Sequence, residues 1–198
     1  MSRILFLASQ SPRRAALIRL LGVKQVHIRP SEIVEEIDGT QSPEDNVLRL
    51  AIQKAREIST FLSTEPGIVL GADTTVAIGS DVLNKPVNAA DGERMLLLLS
   101  GNTHTVYTGV CLLDIATGQE RSFVEETQVT FRSLGIEEIR AYIASGSPMD
   151  KAGAYGIQED FGAVFVRRIE GDYYNVVGLP LCRLYVTLKD FAPDLWED

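Results

Sequence analysis

The sequence predicts an α/β fold of the mixed, α+β kind: a twisted mixed sheet flanked by helices. Two observations carry that expectation. Short apolar, β-branched runs alternate with segments of helical period, and later in the chain β-rich runs stand side by side across short turns, as antiparallel hairpins do. Strict βαβ regularity is absent, so parallel and antiparallel pairing should coexist in one sheet.

The elements follow in order. Ile4 to Ala8 is an apolar run suited to a buried strand. Pro12, suited to the first helical position, opens a periodic segment through Ala16, Leu17, Leu20 and Leu21 that Gly22 closes. Val26 to Arg29 reads as a short strand. Ser42-Pro43-Glu44-Asp45 is a helix start, with an N-cap residue, proline at N1 and acids in the first turn. That helix should run to about Ser59 with Val47, Leu50, Ala51, Ala55 and Ile58 inward. Ile68 to Ile78 is β-rich, with a bend expected near Gly71 to Asp73, and Gly79-Ser80-Asp81 is a turn. A helix over Ala89 to Leu99 ends before Ser100-Gly101. His104 to Leu113 and Ser122 to Phe131 form a hairpin about Ala116-Thr117-Gly118, and a helix covers Ile136 to Ala144. After the glycine-rich segment Lys151 to Gln158, Ala163 to Ile169 and Tyr174 to Val177 read as a second hairpin about Gly171-Asp172. Pro180 starts a last helix with Leu184, Tyr185 and Leu188 facing in.

The chain of 198 residues is 45% hydrophobic and 23% charged, enough for one substantial core. A single domain over residues 1–198, bilobed about a central cleft, is the expectation. A net charge of -8 argues against nucleic acid or an anionic membrane as partner, because both require a basic face. A small polyanion stays compatible, since screening over roughly 8 Å lets a local cation cluster outweigh the global sign. Ile4 to Ala8 is too short for a signal peptide core or a membrane span. Cys111 and Cys182 form no metal or disulfide pattern and read as small core residues in a reducing cytoplasm.

The chemistry-bearing positions start at Ser9-Gln10-Ser11-Pro12-Arg13-Arg14, where a buried strand runs into a helix N-terminus. Free N–H groups and the helix dipole favour an anion there, and arginines in the first turn are misplaced unless one arrives. Locally, Arg13 and Arg14 are either phosphate ligands or surface cations. Gly71-Ala72-Asp73-Thr74-Thr75 puts a carboxylate near a strand end, after a glycine that permits close approach; a turn former is the other reading. Lys85 stands before Pro86 in extended chain, and Lys54 sits mid-helix among acids; each is locally open to being a solvated lysine. Glu32, Glu35, Glu36 and Asp38 form an acidic loop, solvated or able to offer hard oxygen donors to Mg²⁺. His104 reads as a loop hydrogen-bonder. No Walker loop, HExxH, GxSxG or EF-hand pattern is present.

Taken in order, several segments together resemble the Maf family of nucleotide pyrophosphatases: Leu7 to Arg14, Pro30-Ser31 leading to Glu35, Lys54-Ala55, Gly71 to Thr74, Lys85-Pro86, Leu99-Ser100-Gly101 with His104 and Val106, Asp150 to Gln158, and Gly178-Leu179-Pro180. The resemblance spans nearly the whole chain. It implies a Maf/inosine triphosphatase-like architecture, a homodimer, a divalent cation (Mg²⁺ or Mn²⁺) and hydrolysis between the α- and β-phosphates of a nucleoside triphosphate. Lys151 to Gln158 resembles the subgroup acting on dTTP and UTP, with CTP and modified pyrimidine nucleotides as further candidates. By that resemblance Asp73 is the proton acceptor, Glu35 and Asp73 hold the metal, Lys54 and Lys85 complete the catalytic set, Ser9 and Arg14 bind substrate, and Arg13, Thr74 and Gln158 set specificity. Glu159-Asp160 departs from the glycine the family often has after the glutamine. Two other readings stay open: the sister activity on 7-methyl-GTP, and a nucleotide-binding regulator of cell division without turnover.

Overall fold

A computed structural model describes residues 3–62, 65–158 and 161–197. Strand β1 (Ile4–Ala8) leads into helix α1 (Pro12–Arg19), followed by β2 (Val26–Ile28) and the long helix α2 (Pro43–Phe61). Next come β3 (Gly67–Ile78), β4 (Asp81–Leu83), α3 (Ala89–Leu99), β5 (Thr103–Asp114), β6 (Glu120–Phe131) and α4 (Ile136–Ala144). Short 3₁₀ turns at Ser147–Asp150, Ala152–Ala154 and Phe161–Phe165 precede β7 (Val166–Glu170), α5 (Tyr173–Val177) and α6 (Leu181–Phe191). The strands pair in the order β2-β1-β3-β5-β6-β7, with β4 on β3. Pairing is parallel for β1 with β2 and with β3, and antiparallel for β3 with β4 and for β6 with β7, which is the mixed sheet expected. Among the described residues no helix is long and apolar enough to cross a membrane.

Two compact units share the chain. The first comprises Met1–Asp73, Thr108–Glu125 and Gly178–Asp198, the second Thr74–Tyr107 and Glu126–Val177, so β3, β5 and β6 each contribute residues to both. In the first unit, Phe6 and Val69 from parallel strands meet Ala51, Ala55 and Ile58 of α2 in one apolar cluster closed by Cys111 and Leu113. The sequence signals for α2 hold: Ser42 caps it by accepting from Asp45 N, Pro43 occupies the first turn, and all five predicted inward residues are buried. In the second unit an aromatic core joins His104, Phe131, Tyr142, Tyr155 and Phe165 through edge-to-face contacts.

Several expectations are corrected. The residues Tyr174 to Val177 form helix α5 rather than a strand, because Asp172 Oδ1 accepts from Tyr174 N at 2.7 Å and starts a helical turn. The strand expected from Ala163 begins only at Val166, and Asp81 to Leu83, read partly as turn, pairs with β3. Helix α1 stops at Arg19, and Ala16 and Leu20 face solvent while Leu17 and Ile18 are buried. On α6 the inward stripe is Leu181, Leu184 and Leu188; Tyr185 is exposed and packs edge-on against Trp196. Cys111 is a core residue but Cys182 is exposed. His104 lies in a buried strand, not a loop.

Candidate active site

Most of the predicted site converges in the first unit. The strand β1 delivers Ser9 and then gives way to α1, whose N-cap Ser11 accepts from Arg14 N. Ser9 Oγ accepts from Ser11 N at 3.2 Å and from Arg14 Nη1 at 3.3 Å, while Arg14 Nε donates to the Gly178 carbonyl at 2.8 Å. No acid occupies the first turn of α1 to offset Arg13 and Arg14. The positive end of the helix dipole and two guanidinium groups therefore act together, which suits a multiply charged anion.

Beside them stands a buried lysine between two acids. Lys54, on the inward face of α2 and only 5% exposed, holds Asp73 Oδ1 at 2.6 Å and Glu35 Oε1 at 2.7 Å, and its Nζ lies 3.4 Å from the Ala72 carbonyl. Its local reading as a solvated helix lysine is thus corrected. An ammonium is tolerable at that depth only because carboxylates compensate it. Glu35 is the exposed partner, on the loop between β2 and α2. Burial raises the pKa of Asp73, against the pull of Lys54 and Arg14 and with a further push from Glu35. Burial also lowers the pKa of Arg14, with Asp73 and Glu35 drawing it back up and Arg13 acting against them, and an arginine stays charged under such pressure. Arg13, Arg14 and Lys54 outnumber Glu35 and Asp73, so the cluster carries surplus positive charge inside an acidic protein. Among the described residues no group of three or more His, Cys, Asp or Glu forms a metal cage. Glu35 and Asp73, which converge on the Lys54 ammonium, are the two carboxylates here that could offer oxygen donors to Mg²⁺ or Mn²⁺.

Thr74, Lys85 and Gln158 belong to the second unit. Thr74 is half-buried in β3, and Lys85 is exposed after β4, fixed in the chain between Asn84 and the buried Pro86. Gln158 is half-buried, and its Nε2 is enclosed with no hydrogen-bond partner among the described residues. Glu159-Asp160 lies outside the described residues. Sequence reasoning missed Thr75 and Asn84, buried and half-buried, whose side chains bond at 2.8 Å. Asn84 O in turn accepts from Gly153 N at 3.2 Å and fixes the start of the glycine-rich segment. The only signal for Thr75 was its place beside Thr74 in the strand.

His104 gives this unit a measurable pH response. It is 2% exposed, and burial pulls its pKa down to about 4. In the unfolded chain it titrates near 6.5, so between those values the unfolded state binds a proton that the folded state refuses. Stability is therefore complete above about pH 6.5 and falls toward pH 4, by about 3 kcal/mol from this group. Urea unfolding at pH 7.5 and 4.5 should show that difference shrink in His104→Gln relative to wild type; equal pH dependence in both would refute it.

A helix N-terminus with two arginines, set beside a buried carboxylate–ammonium–carboxylate group, defines the class: an α/β protein with a cation-rich cluster suited to a polyanion. Residues 4–191 match the family described as Maf-like protein, and the chain belongs to that family. Proteins named dTTP/UTP pyrophosphatase from Bacillus cereus (strain AH187) and Bacillus anthracis (strain CDC 684 / NRRL 3495) are each 51% identical to it over 193 residues, covering 98% of this chain and 98% of theirs. A protein of the same name from Bacillus thuringiensis subsp. konkukian (strain 97-27) is 50% identical with the same coverage. A Vibrio cholerae protein of solved crystal structure aligns over 74% of this chain and 79% of its own, at 10% identity and a TM-score of 0.38.

Proposed function

We propose that this protein hydrolyses dTTP and UTP, and by extension CTP and modified pyrimidine triphosphates, to the nucleoside monophosphate and pyrophosphate. The observation that carries the reading is the buried contact of Lys54 with Asp73 and Glu35 beside Arg14, together with the name and near-complete coverage of the Bacillus relatives. Water attacks the α-phosphorus, the bond from that phosphorus to the α,β-bridging oxygen breaks, pyrophosphate leaves, and Asp73 takes the proton of the attacking water. Arg13, Arg14, Lys54 and the N-terminus of α1 offset the charge of the triphosphate, and Lys85 adds a further cation. Ser9 keeps the Arg14 guanidinium in place. Glu35 and Asp73 would hold Mg²⁺ or Mn²⁺, which when bound neutralises phosphate charge and polarises the bond under attack. Thr74 and Gln158 read the base; the amide of Gln158 offers a donor and an acceptor, as a pyrimidine edge requires. Action as a homodimer in the cytoplasm completes the reading.

Incubation of the protein with Mg²⁺ and a panel of triphosphates, with pyrophosphate and phosphate assayed separately, tests it. Pyrophosphate without phosphate from dTTP and UTP is the expected result. Release from 7-methyl-GTP in preference to the pyrimidines would transfer the enzyme to the sister activity, and tight binding without any product would make it a nucleotide-sensing regulator.

A further inference from the structure

The segment Lys151 to Gln158 is held by more bonds than a surface loop requires. Lys151 Nζ donates to Asp150 Oδ1 at 2.9 Å and Ser147 Oγ at 3.2 Å, Gly153 N to the Asn84 carbonyl at 3.2 Å, and Gly156 N to the Tyr142 hydroxyl at 3.2 Å. Between those anchors the backbone turns through the left-handed region twice, at Gly153 (φ 69°) and at Ala154 (φ 58°). Among the described residues Ala154 is the one non-glycine with positive φ, and it is fully buried. A side chain is strained there and persists only where its surroundings over-determine the conformation. The residue that follows supplies the determination. Tyr155, nearly buried, places its hydroxyl 2.9 Å from His104 Nε2 and packs its ring edge-on against His104 and Phe131. Gln158, whose Nε2 lacks a partner among the described residues, stands three residues beyond this clamp.

We propose that His104 and Tyr155 are positioning residues for base selection: their hydrogen bond locks the strained turn at Ala154 and thereby fixes where Gln158 presents its amide to the pyrimidine. The inference rests on the reading of Gln158 as a base reader. Neither residue touches substrate. A hydrogen bond reaching from β5 fixes a segment whose own regular structure is a single 3₁₀ turn, Ala152–Ala154, and a displacement of a fraction of an ångström at Gln158 is enough to spoil a two-point contact with a base edge.

The test compares kcat/KM for UTP with that for ATP in the intact wild-type protein and in Tyr155→Phe, His104→Leu and His104→Gln. The ratio is independent of the fraction of enzyme that is folded, so loss of stability alone does not move it. Tyr155→Phe removes one hydroxyl and His104→Leu the ring nitrogen; each is expected to lower the UTP/ATP ratio about tenfold. His104→Gln, whose amide reaches as far as Nε2, is expected to keep the ratio within about twofold of wild type. A wild-type protein that discriminates while Tyr155→Phe and His104→Leu discriminate equally well would overturn the inference alone. A wild-type protein that accepts ATP as readily as UTP would overturn the pyrimidine reading and the inference with it.

Discussion

An Asp73→Asn variant is expected to release pyrophosphate from dTTP at about 10²- to 10³-fold below the wild-type rate, while melting at the same temperature or higher. The two halves of that result have one cause. Asp73 is buried, and its raised pKa means that the folded protein holds the carboxylate proton more tightly than the unfolded chain does. At neutral pH ionisation of this group therefore opposes folding, and the neutral amide relieves the opposition without changing the shape. Lys54 keeps Glu35 as its counter-charge, so the ammonium is not abandoned in the interior. A charge that the fold disfavours and the reaction requires is the signature of a working group. The same direction of shift places the acidic limb of the wild-type kcat/KM profile above the ordinary aspartate value of about 3.9. Pyrophosphate release across pH, paired with a thermal melt, measures both halves. A folded variant with near-wild-type release would remove Asp73 from the mechanism.

The sequence disclosed those parts of the fold that depend on neighbours along the chain. The inward stripe of α2, its cap at Ser42 and the strand-to-helix passage at Ser9 to Arg14 are local patterns, and each is present as read. What it hid depends on partners far along the chain. Lys54 looked like a surface lysine because its partners are 19 residues ahead, at Asp73, and on a loop behind it, at Glu35. The residues Tyr174 to Val177 looked like a strand because they are β-branched and aromatic. Their helical turn is set by Asp172 and by Asn175, a fully buried amide that donates to the Val106 carbonyl and to Thr127 Oγ1 at 3.1 and 3.0 Å. Periodicity reports which face is apolar; it does not report a distant carbonyl waiting for an amide. For the same reason the roles proposed for Lys54 and Gln158 came from the resemblance, and Glu35 had only the local signal of an acidic loop, which did not single it out from Glu32, Glu36 and Asp38.

Gly71→Ala is the second change with a large expected effect, here on stability. Strand β3 passes so close beneath α2 that a Cβ at position 71 would lie 2.1 Å from the Ala51 carbonyl oxygen and 2.9 Å from Ala55 N. Those are backbone atoms of a buried helix, so the strain cannot be relieved by turning a side chain aside; helix and sheet must separate. Overpacking of this kind is expected to cost about 3 kcal/mol or more. A helix lifted from the sheet also carries Lys54 away from Asp73 and the Ala72 carbonyl, since Lys54 adjoins Ala55 on the same turn. Gly109 repeats the arrangement from β5, where a Cβ would stand 2.4 Å from the Val47 carbonyl. Gly39 is the control: nothing lies within 4 Å of its added Cβ, and Gly39→Ala is expected to stay within about 0.5 kcal/mol of wild type. Urea unfolding of Gly71→Ala, Gly109→Ala and Gly39→Ala distinguishes close approach from the general cost of losing a glycine. Should Gly71→Ala unfold at the same midpoint as Gly39→Ala, the contact between α2 and β3 is not what seats Lys54 between its two carboxylates.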